Sequence, residues 1–358
     1  MPNVTTTVQC DIRESFRVQQ VSGMFDLPPA EACQETFCVD VPSSEEDWQI
    51  GAIVGPSGSG KSTIAKAAFG DAVCGYQEWP RDMAIVDGFG DRTIKQITQT
   101  LTAVGFASPP AWVKPHRVLS TGQQFRCDLA RALLADMPLI VFDEFTSVVD
   151  RTVAKVGSAA VSRCIRSGRI QRRFVAVTCH YDVLDWLEPD WVVDMASGKL
   201  KRGRLRRPRI ELELARCRPA AWRLFARHHY LSGSLSPFAR CYLVTWRDEP
   251  VAFCATIHLY GFRGRRRITR IVTLPDYQGI GIGARVLEAV ANHESADGQR
   301  VSITSSHPAI IGYCRKSPAW RAVQVSRAGN RKHYRKHNKL VRTSQGRAVV
   351  SFEFVTGV

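Results

Sequence analysis

Nine consecutive residues, Gly55-Pro56-Ser57-Gly58-Ser59-Gly60-Lys61-Ser62-Thr63, form the most chemically specific run in the chain. The glycines let successive backbone N–H groups turn inward around an anion, and a helix starting at the end of the run adds a site already favourable to negative charge. Lys61 can then reach the outer phosphates of a nucleotide, and the Ser62 hydroxyl can hold Mg²⁺. Further on, Asp143-Glu144 closes an apolar stretch. Asp143 suits the rest of a Mg²⁺ shell, and Glu144 suits polarisation of an attacking water. Two acids after an apolar run can also merely cap a strand; the phosphate loop upstream favours the chemistry.

A second run, Ile271-Val272-Thr273-Leu274-Pro275-Asp276-Tyr277-Gln278-Gly279-Ile280-Gly281-Ile282-Gly283-Ala284, has glycine at alternate positions between a strand-like and a helix-like segment. Bare backbone N–H groups at a helix start suit a pyrophosphate. The loop lies mid-domain after a hairpin, which speaks against a dinucleotide fold, whose loop opens its first βαβ unit. For proton transfer nearby, His229 in His228-His229-Tyr230-Leu231-Ser232-Gly233-Ser234 is a candidate general base, because paired histidines beside a Gly-Ser turn can titrate near neutrality. His258, Ser305 and His307 compete with it, and each alone is more often structural.

The elements that must position these groups read as α/β. Ile50–Val54 is an apolar strand emptying into the first loop, with a helix over Ile64–Phe69; Leu139–Phe142 and Phe174–Cys179 are further buried strands, and Met83–Val86 another. At Lys199, Lys201, Arg202, Arg204, Arg206, Arg207 and Arg209 composition changes abruptly. Such a run repels itself and stays solvated, so it divides residues 1–198 from 209–358, with 199–208 as a basic linker. Beyond it the pattern predicts a strand (Ile210–Leu214), a helix (Pro219–Tyr230), strands at Cys241–Trp246, Val251–Tyr260 and Ile268–Leu274, and a helix (Ala284–His293). A strand–helix pair (Val301–Thr304, Pro308–Arg315) and a closing strand (Ala348–Phe354) follow.

Composition sets outer bounds. At 358 residues two domains are expected, and 44% hydrophobic with 23% charged residues is ordinary for a globular chain. No run of eighteen apolar residues is present to span a membrane, and the N-terminal segment lacks a secretory pattern. The eleven cysteines are scattered without a C-x-x-C pair, which predicts free thiols in a reducing cytoplasm. A net charge of +16 predicts a polyanionic partner, most plausibly nucleic acid. Arg263, Arg265, Arg266 and Arg267, and the run Arg331–Lys339 with Tyr334 inside it, are candidate phosphate contacts.

Leu119-Ser120-Thr121-Gly122-Gln123, ahead of a helix at Gln124–Leu134, resembles the L-S-G-G-Q signature of ABC ATPases, with Thr121 in place of one glycine. Phosphate loop, signature, Asp-Glu strand, Ser147-Val148-Val149-Asp150 as D-loop and His180 occur in that family's order over roughly residues 10–197. The resemblance implies a P-loop ATPase fold whose Ser120, Gly122 and Gln123 contact the γ-phosphate held by a second protomer, in a head-to-tail homodimer binding ATP and Mg²⁺. It also implies a γ-phosphate-sensing role for His180. Two departures stand out: Asp87-Gly88-Phe89 replaces the expected Q-loop glutamine, and the stretch between Thr63 and Leu119 looks shorter than in transporters. Both point away from transport and toward the soluble members that act on nucleic acids. An aromatic is expected to stack on adenine, and Phe25 is the candidate.

Gln278, Gly281 and Gly283 match the Q/R-x-x-G-x-G/A motif of the GNAT acyltransferases, and the strand order over about residues 209–356 resembles theirs. This implies a mixed α/β domain binding acetyl-CoA or another acyl-CoA on the loop Gln278–Ala284. A backbone N–H near Ile271, Val272 or Thr273 would meet the oxyanion, and Tyr313 would protonate the departing thiolate. The His-His-Tyr-x-Ser-Gly stretch with Ser305-Ser306 and Tyr313 is similar to the phage Mom proteins, GNAT-like enzymes that modify adenine in DNA. The expectation is an ATPase fused to an acyl-CoA-dependent transferase that modifies nucleic acid. Its alternatives are a protein or small-amine N-acetyltransferase with the first half as a nucleotide-gated dimerisation switch, and a binding module whose second half has lost its chemistry.

Overall fold

A computed structural model describes residues 3–26, 32–229, 233–326 and 348–355. The first elements are β1 (Asn3–Asp11), α1 (Phe16–Phe25), β2 (Ala32–Asp40), β3 (Ile50–Val54), α2 (Lys61–Phe69) and β4 (Val73–Cys74). There follow α3 (Ile94–Ala103), α4 (Pro109–Trp112), α5 (Thr121–Leu134), β5 (Leu139–Phe142) and α6 (Arg151–Arg166). Next come β6 (Arg173–Thr178), α7 (Leu184–Leu187), β7 (Trp191–Asp194), β8 (Lys199–Arg202), β9 (Glu213–Cys217) and α8 (Trp222–Phe225). The last are β10 (Arg240–Trp246), β11 (Glu249–His258), β12 (Arg265–Thr273), α9 (Ile282–Ala296), β13 (Arg300–Ser305), α10 (Pro308–Lys316), β14 (Trp320–Ser326) and β15 (Val349–Phe354). Among the described residues no helix is long and apolar enough to cross a membrane.

Two compact units result. One comprises Met1–Tyr76, Asp136–Ser147 and Ile170–Arg206; the other comprises Gln77–Ala135, Val148–Arg169 and Arg207–Val358. The first holds a six-stranded sheet of order β4-β5-β6-β3-β7-β8, parallel except for β8. Every residue of β3 is buried, as expected for a central parallel strand covered on both faces. Ile53, Val141, Val177 and Val193 from four neighbouring strands join Ile64 of α2 in one core. The antiparallel pair β1–β2, absent from the sequence expectation, is a separate sheet.

The second unit is built on a seven-stranded sheet of order β14-β15-β13-β12-β11-β10-β9, in which only β12 and β13 run parallel. Their pairing covers Arg265–Ile268 against Arg300–Ile303 and then stops, so Thr269–Thr273 continues along β11 without a partner on its other edge. A register shift between Ala255 and Thr256 opposite β12 marks a bulge at that point. Helix α9 makes the crossover from β12 to β13. Its Glu294 is fully buried and binds Arg240 at 2.7 Å and Arg266 at 3.1 Å, with the Tyr242 hydroxyl donating at 2.9 Å. Burial first, and then the Glu294 contact, push the Tyr242 phenol up to about 12.

Several expectations change. Met83–Val86 is not a strand: Ala84 makes one isolated bridge to Pro115 and Ile85–Asp87 turns as a 3₁₀ segment, because no second strand lies alongside. The helix expected over Pro219–Tyr230 reduces to 3₁₀ turns flanking α8. Trp222 and Phe225 are buried there but Leu224 is exposed, too narrow an apolar stripe to hold a long helix. The strand expected at Ile210–Leu214 is displaced to β9. Lys199–Arg202, read as the start of a solvated linker, pairs with β7 as an edge strand, since lysines and arginines on an edge can stay in water while the backbone bonds. Strand β14 was not foreseen; much of its surface is exposed, so its sequence lacks the apolar alternation that signals a strand.

Candidate functional site

The nucleotide-type loop follows β3. Gly58 and Gly60 have φ near 79° and 78°, values that favour glycine. At Gly60, the N-cap of α2, a Cβ would also lie 2.5 Å from the Phe37 ring. Lys61 folds back to donate to the Pro56 carbonyl at 2.7 Å, and Ser62 Oγ donates to Asp143 Oδ1 at 3.0 Å. Asp143 Oδ1 also accepts the Glu144 N–H at 2.9 Å. Glu144 and Thr146 both take left-handed backbone, φ 54° and 68°, costly for non-glycine residues and characteristic of a loop held for function. Thr146 Oγ1 lies 3.0 Å from His180 Nδ1, so the turn after β5 orients the imidazole beyond β6.

A cavity of about 360 Å³ opens here, lined by Ser57, Gly58, Gly60, Lys61, Ser62, Thr63 and Glu144 together with Phe37. Ser59 Oγ is buried without a partner, a donor suited to a phosphate oxygen. The hydroxyl of Ser62 and the carboxylate of Asp143, side by side at the loop, are hard oxygen ligands that fit Mg²⁺. The structure therefore brings together Gly55–Thr63, Asp143, Glu144 and, through Thr146, His180. Phe25 ends α1, is 69% exposed and does not line this cavity. Phe37 does; its position in the unforeseen β2 hid it from sequence reasoning.

In the second unit, Ser120 caps α5, its N–H reaching Gln123 Oε1 at 3.2 Å, and Gly122 faces Val153 of α6 so closely that a Cβ would lie 3.3 Å away. Asp150 of the D-loop caps α6 by accepting the Thr152 and Val153 N–H groups at 2.9 and 3.0 Å.

The alternate-glycine loop sits between β12 and α9, with Gly279 and Gly281 at φ 96° and 94°. Gln278 Nε2 donates to the Thr273 carbonyl at 2.9 Å, while its Oε1 accepts the Ala107 N–H at 3.1 Å. Backbone meets backbone at Gly105 and Gly279: a Cβ on Gly279 would lie 2.9 Å from Gly105 Cα, and one on Gly105 would overlap the Gln278 carbonyl. Arg126 of α5, 1% exposed, donates to the Pro275 and Asp276 carbonyls at 2.7 and 3.1 Å. Burial lowers its guanidinium to about 10, and nearby Asp276 and Asp150 oppose that shift. The contacts of Ala107, Gly105 and Arg126 were not legible beforehand, since each spans well over a hundred residues. Gly105 stood as an isolated glycine with no motif around it.

Tyr313 on α10 donates its hydroxyl to Glu288 of α9, which also accepts from Ser317 at 3.1 Å. Burial and then this carboxylate raise the phenol to about 12, which holds its proton at neutral pH. Glu288 went unnoticed because it reads as an ordinary helix-surface acid. His307 caps α10 through Nδ1, and its Nε2 lies 3.0 Å from the Ala107 carbonyl; burial lowers its pKa. His258 Nε2 lies 2.7 Å from the Arg266 guanidinium, and Ser305 Oγ accepts the His307 N–H. These three are thus committed to structural contacts. His229 packs edge-on to Trp222 and lines a cavity of about 180 Å³ with His228, Arg227, Lys114, Arg126 and Gln278.

The basic patch before β12 divides. Strand alternation buries Arg266 against Glu294, so it is not a phosphate contact; Arg263 and Arg267 are exposed, and Arg265 lies over the Phe262 ring. Arg331–Lys339 and Tyr334 lie outside the described residues, as do Tyr230, Leu231 and Ser232.

These two sites define a P-loop nucleotide fold and an acyl-CoA-type transferase fold on one chain. Residues 207–313 match the acetyltransferase (GNAT) family model. A stretch of 150 residues is 33% identical to the zinc import ATP-binding protein ZnuC of Cereibacter sphaeroides, covering 36% of this chain and 60% of that protein. The chain thus spans about 60% of the length of this relative. Similar solved structures include a dimeric ATP-binding cassette bound to ADP and phosphate (17% identity; 47% of this chain, 92% of that one; TM-score 0.38). Another is a ribosomal-protein alanine N-acetyltransferase from Escherichia coli (16% identity; 41% and 97%; TM-score 0.31). The chain therefore joins a part similar to an ABC-type ATP-binding protein to a segment, residues 207–313, that matches the GNAT acetyltransferase family.

Proposed function

We propose that the protein is an ATP-hydrolysing, acyl-CoA-dependent enzyme that modifies nucleic acid, with residues 1–198 and the edge strand β8 as ATPase part and 209–358 as transferase domain. The observation that carries the nucleic-acid reading is the tip between β11 and β12. There Tyr260 and Phe262 are 101% and 54% exposed beside exposed Arg263 and Arg267, an arrangement suited to base stacking with phosphate contact. The chain's +16 charge and the Mom-like stretch around His229 support it.

In this reading Gly55–Thr63 cradle the ATP phosphates, Lys61 swings from Pro56 to the outer phosphates, and Phe37 packs at the nucleotide. Ser62 and Asp143 would hold Mg²⁺, which when bound would supply charge neutralisation at the phosphates. Glu144 orients and deprotonates the attacking water, and His180 contacts the γ-phosphate. Ser120, Gly122 and Gln123 serve the nucleotide of a second copy in a head-to-tail dimer. In the transferase domain the acyl-CoA pyrophosphate lies on Gln278–Ala284. The unpaired edge at Ile271–Thr273 offers a backbone N–H to the tetrahedral oxyanion. His229 takes the acceptor proton, and Tyr313 delivers one to the thiolate.

ATP hydrolysis by the purified protein, with and without duplex DNA, single-stranded DNA and tRNA at low salt, tests this. Stimulation by one polymer, followed by a mass shift in its nucleosides after incubation with acetyl-CoA, is expected. A flat response with transfer to peptides or small amines would transfer the reading to the amine acetyltransferase alternative.

A further inference from the structure

The acyl-donor loop is met by a helix that begins at the D-loop. Arg163, on the last turns of α6, donates to the Gly279 carbonyl at 3.3 Å across 116 residues of sequence. Its guanidinium lies so near Gly281 that a Cβ there would sit 2.7, 3.2 and 3.3 Å from three of its atoms. Glycine at 281 is favoured by its φ, and the guanidinium fills the space beside it. Burial first, and then the like charges of Arg169, Arg207 and Arg285, lower the pKa of Arg163, with Cys164 opposing. Arg285 projects from the first turn of α9, whose opening N–H groups have no intrahelical acceptor. Arg207 lies near the end of the basic run, and Arg169 lies exposed just beyond α6. Like charges acting on one guanidinium that sits at the loop favour an anion there.

We propose that Arg163, with Arg169, Arg207 and Arg285, completes the acyl-CoA phosphate site, so that the donor is bound jointly by the transferase fold and by the helix that follows the ATPase D-loop. This rests on the acyl-CoA reading of the loop. It assigns the donor a contact from outside the glycine motif and gives the basic run a local task at its far end.

The test is calorimetric titration of the full-length protein with CoA and, separately, with S-acetylpantetheine, which lacks the phosphates. Arg163→Ala is expected to weaken CoA about 10- to 100-fold, Arg163→Lys and the exposed Arg169→Ala several-fold, and none to change S-acetylpantetheine binding. Tight CoA binding by wild type with equal affinity in Arg163→Ala and Arg169→Ala, both folded by thermal melt, overturns the inference and leaves the acyl-CoA reading standing. No CoA binding by wild type overturns both.

Discussion

Two glycine-rich loops, each between a strand and a helix, are built on opposite plans. The loop at Gly55–Thr63 draws its close partners from the same small α/β unit: Phe37 against Gly60, Asp143 against Ser62, Pro56 against Lys61. The loop at Gln278–Ala284 is held from far along the chain, by Ala107 on Gln278, Arg126 on Pro275 and Asp276, and Arg163 on Gly279. A phosphate loop next to the carboxylates proposed to serve metal and water can work as a local device. A loop whose backbone is clamped by distant helices is positioned by whatever those helices do. Coupling between two chemistries requires such shared elements, and here α5, which starts after Ser120, and α6, which starts after Asp150, carry the Arg126 and Arg163 side chains that hold the segment Pro275–Gly279.

The sharpest way to separate the two plans is Glu144→Gln. If Glu144 handles the attacking water, ATP turnover should fall about 10²- to 10⁴-fold with ATP and CoA affinities intact, read by phosphate release and titration. Next in size is Glu294→Ala. It leaves Arg240 and Arg266 without their buried carboxylate and should cost about 3–5 kcal/mol in chemical denaturation of the second unit, with nucleotide binding by the first unchanged. A smaller effect is expected at Gly105→Ala, where φ is 90° and the added methyl overlaps the Gln278 carbonyl. It should destabilise by about 1–3 kcal/mol and weaken CoA binding. Gly58→Ala, strained only by its φ of 79° in open space, should weaken ATP and leave CoA alone. If Gly105→Ala spares CoA, the contrast between the loops fails.

The smallest effect is alkaline. Tyr242 and Tyr313 are each raised to about 12 in the folded state, so the unfolded phenols ionise first. Their contribution is fully present below pH about 10 and lost as pH rises toward 12. Tyr313→Phe should flatten part of that loss and, at neutral pH, slow acyl transfer without altering ATP hydrolysis.

Local sequence carried the first site nearly complete, because a phosphate loop is a backbone device written in contiguous residues and β3 and β5 are apolar runs bounded by it. The same reasoning found the alternate-glycine loop and Tyr313. It missed β1–β2, and with them Phe37, because their residues carry no clean alternation. It missed Glu288 and Arg163 because a charged residue on a helix looks alike whether it faces water or a loop. It placed Arg266 on the surface when strand alternation turns it inward.

The sequence alone therefore determined that the chain has two glycine-rich strand-to-helix loops on α/β folds, and which residues form each loop. Short-range steric and hydrogen-bonding rules act within a few residues and can be read there. Only the tertiary structure decided which remote groups press on those loops, for Gly105, Arg126 and Arg163 take their meaning from contacts that chain separation hides. Burial then fixes their consequence: a guanidinium with two carbonyls and almost no water, as at Arg126, becomes a clamp, where the same residue on a solvated helix face would be only charge.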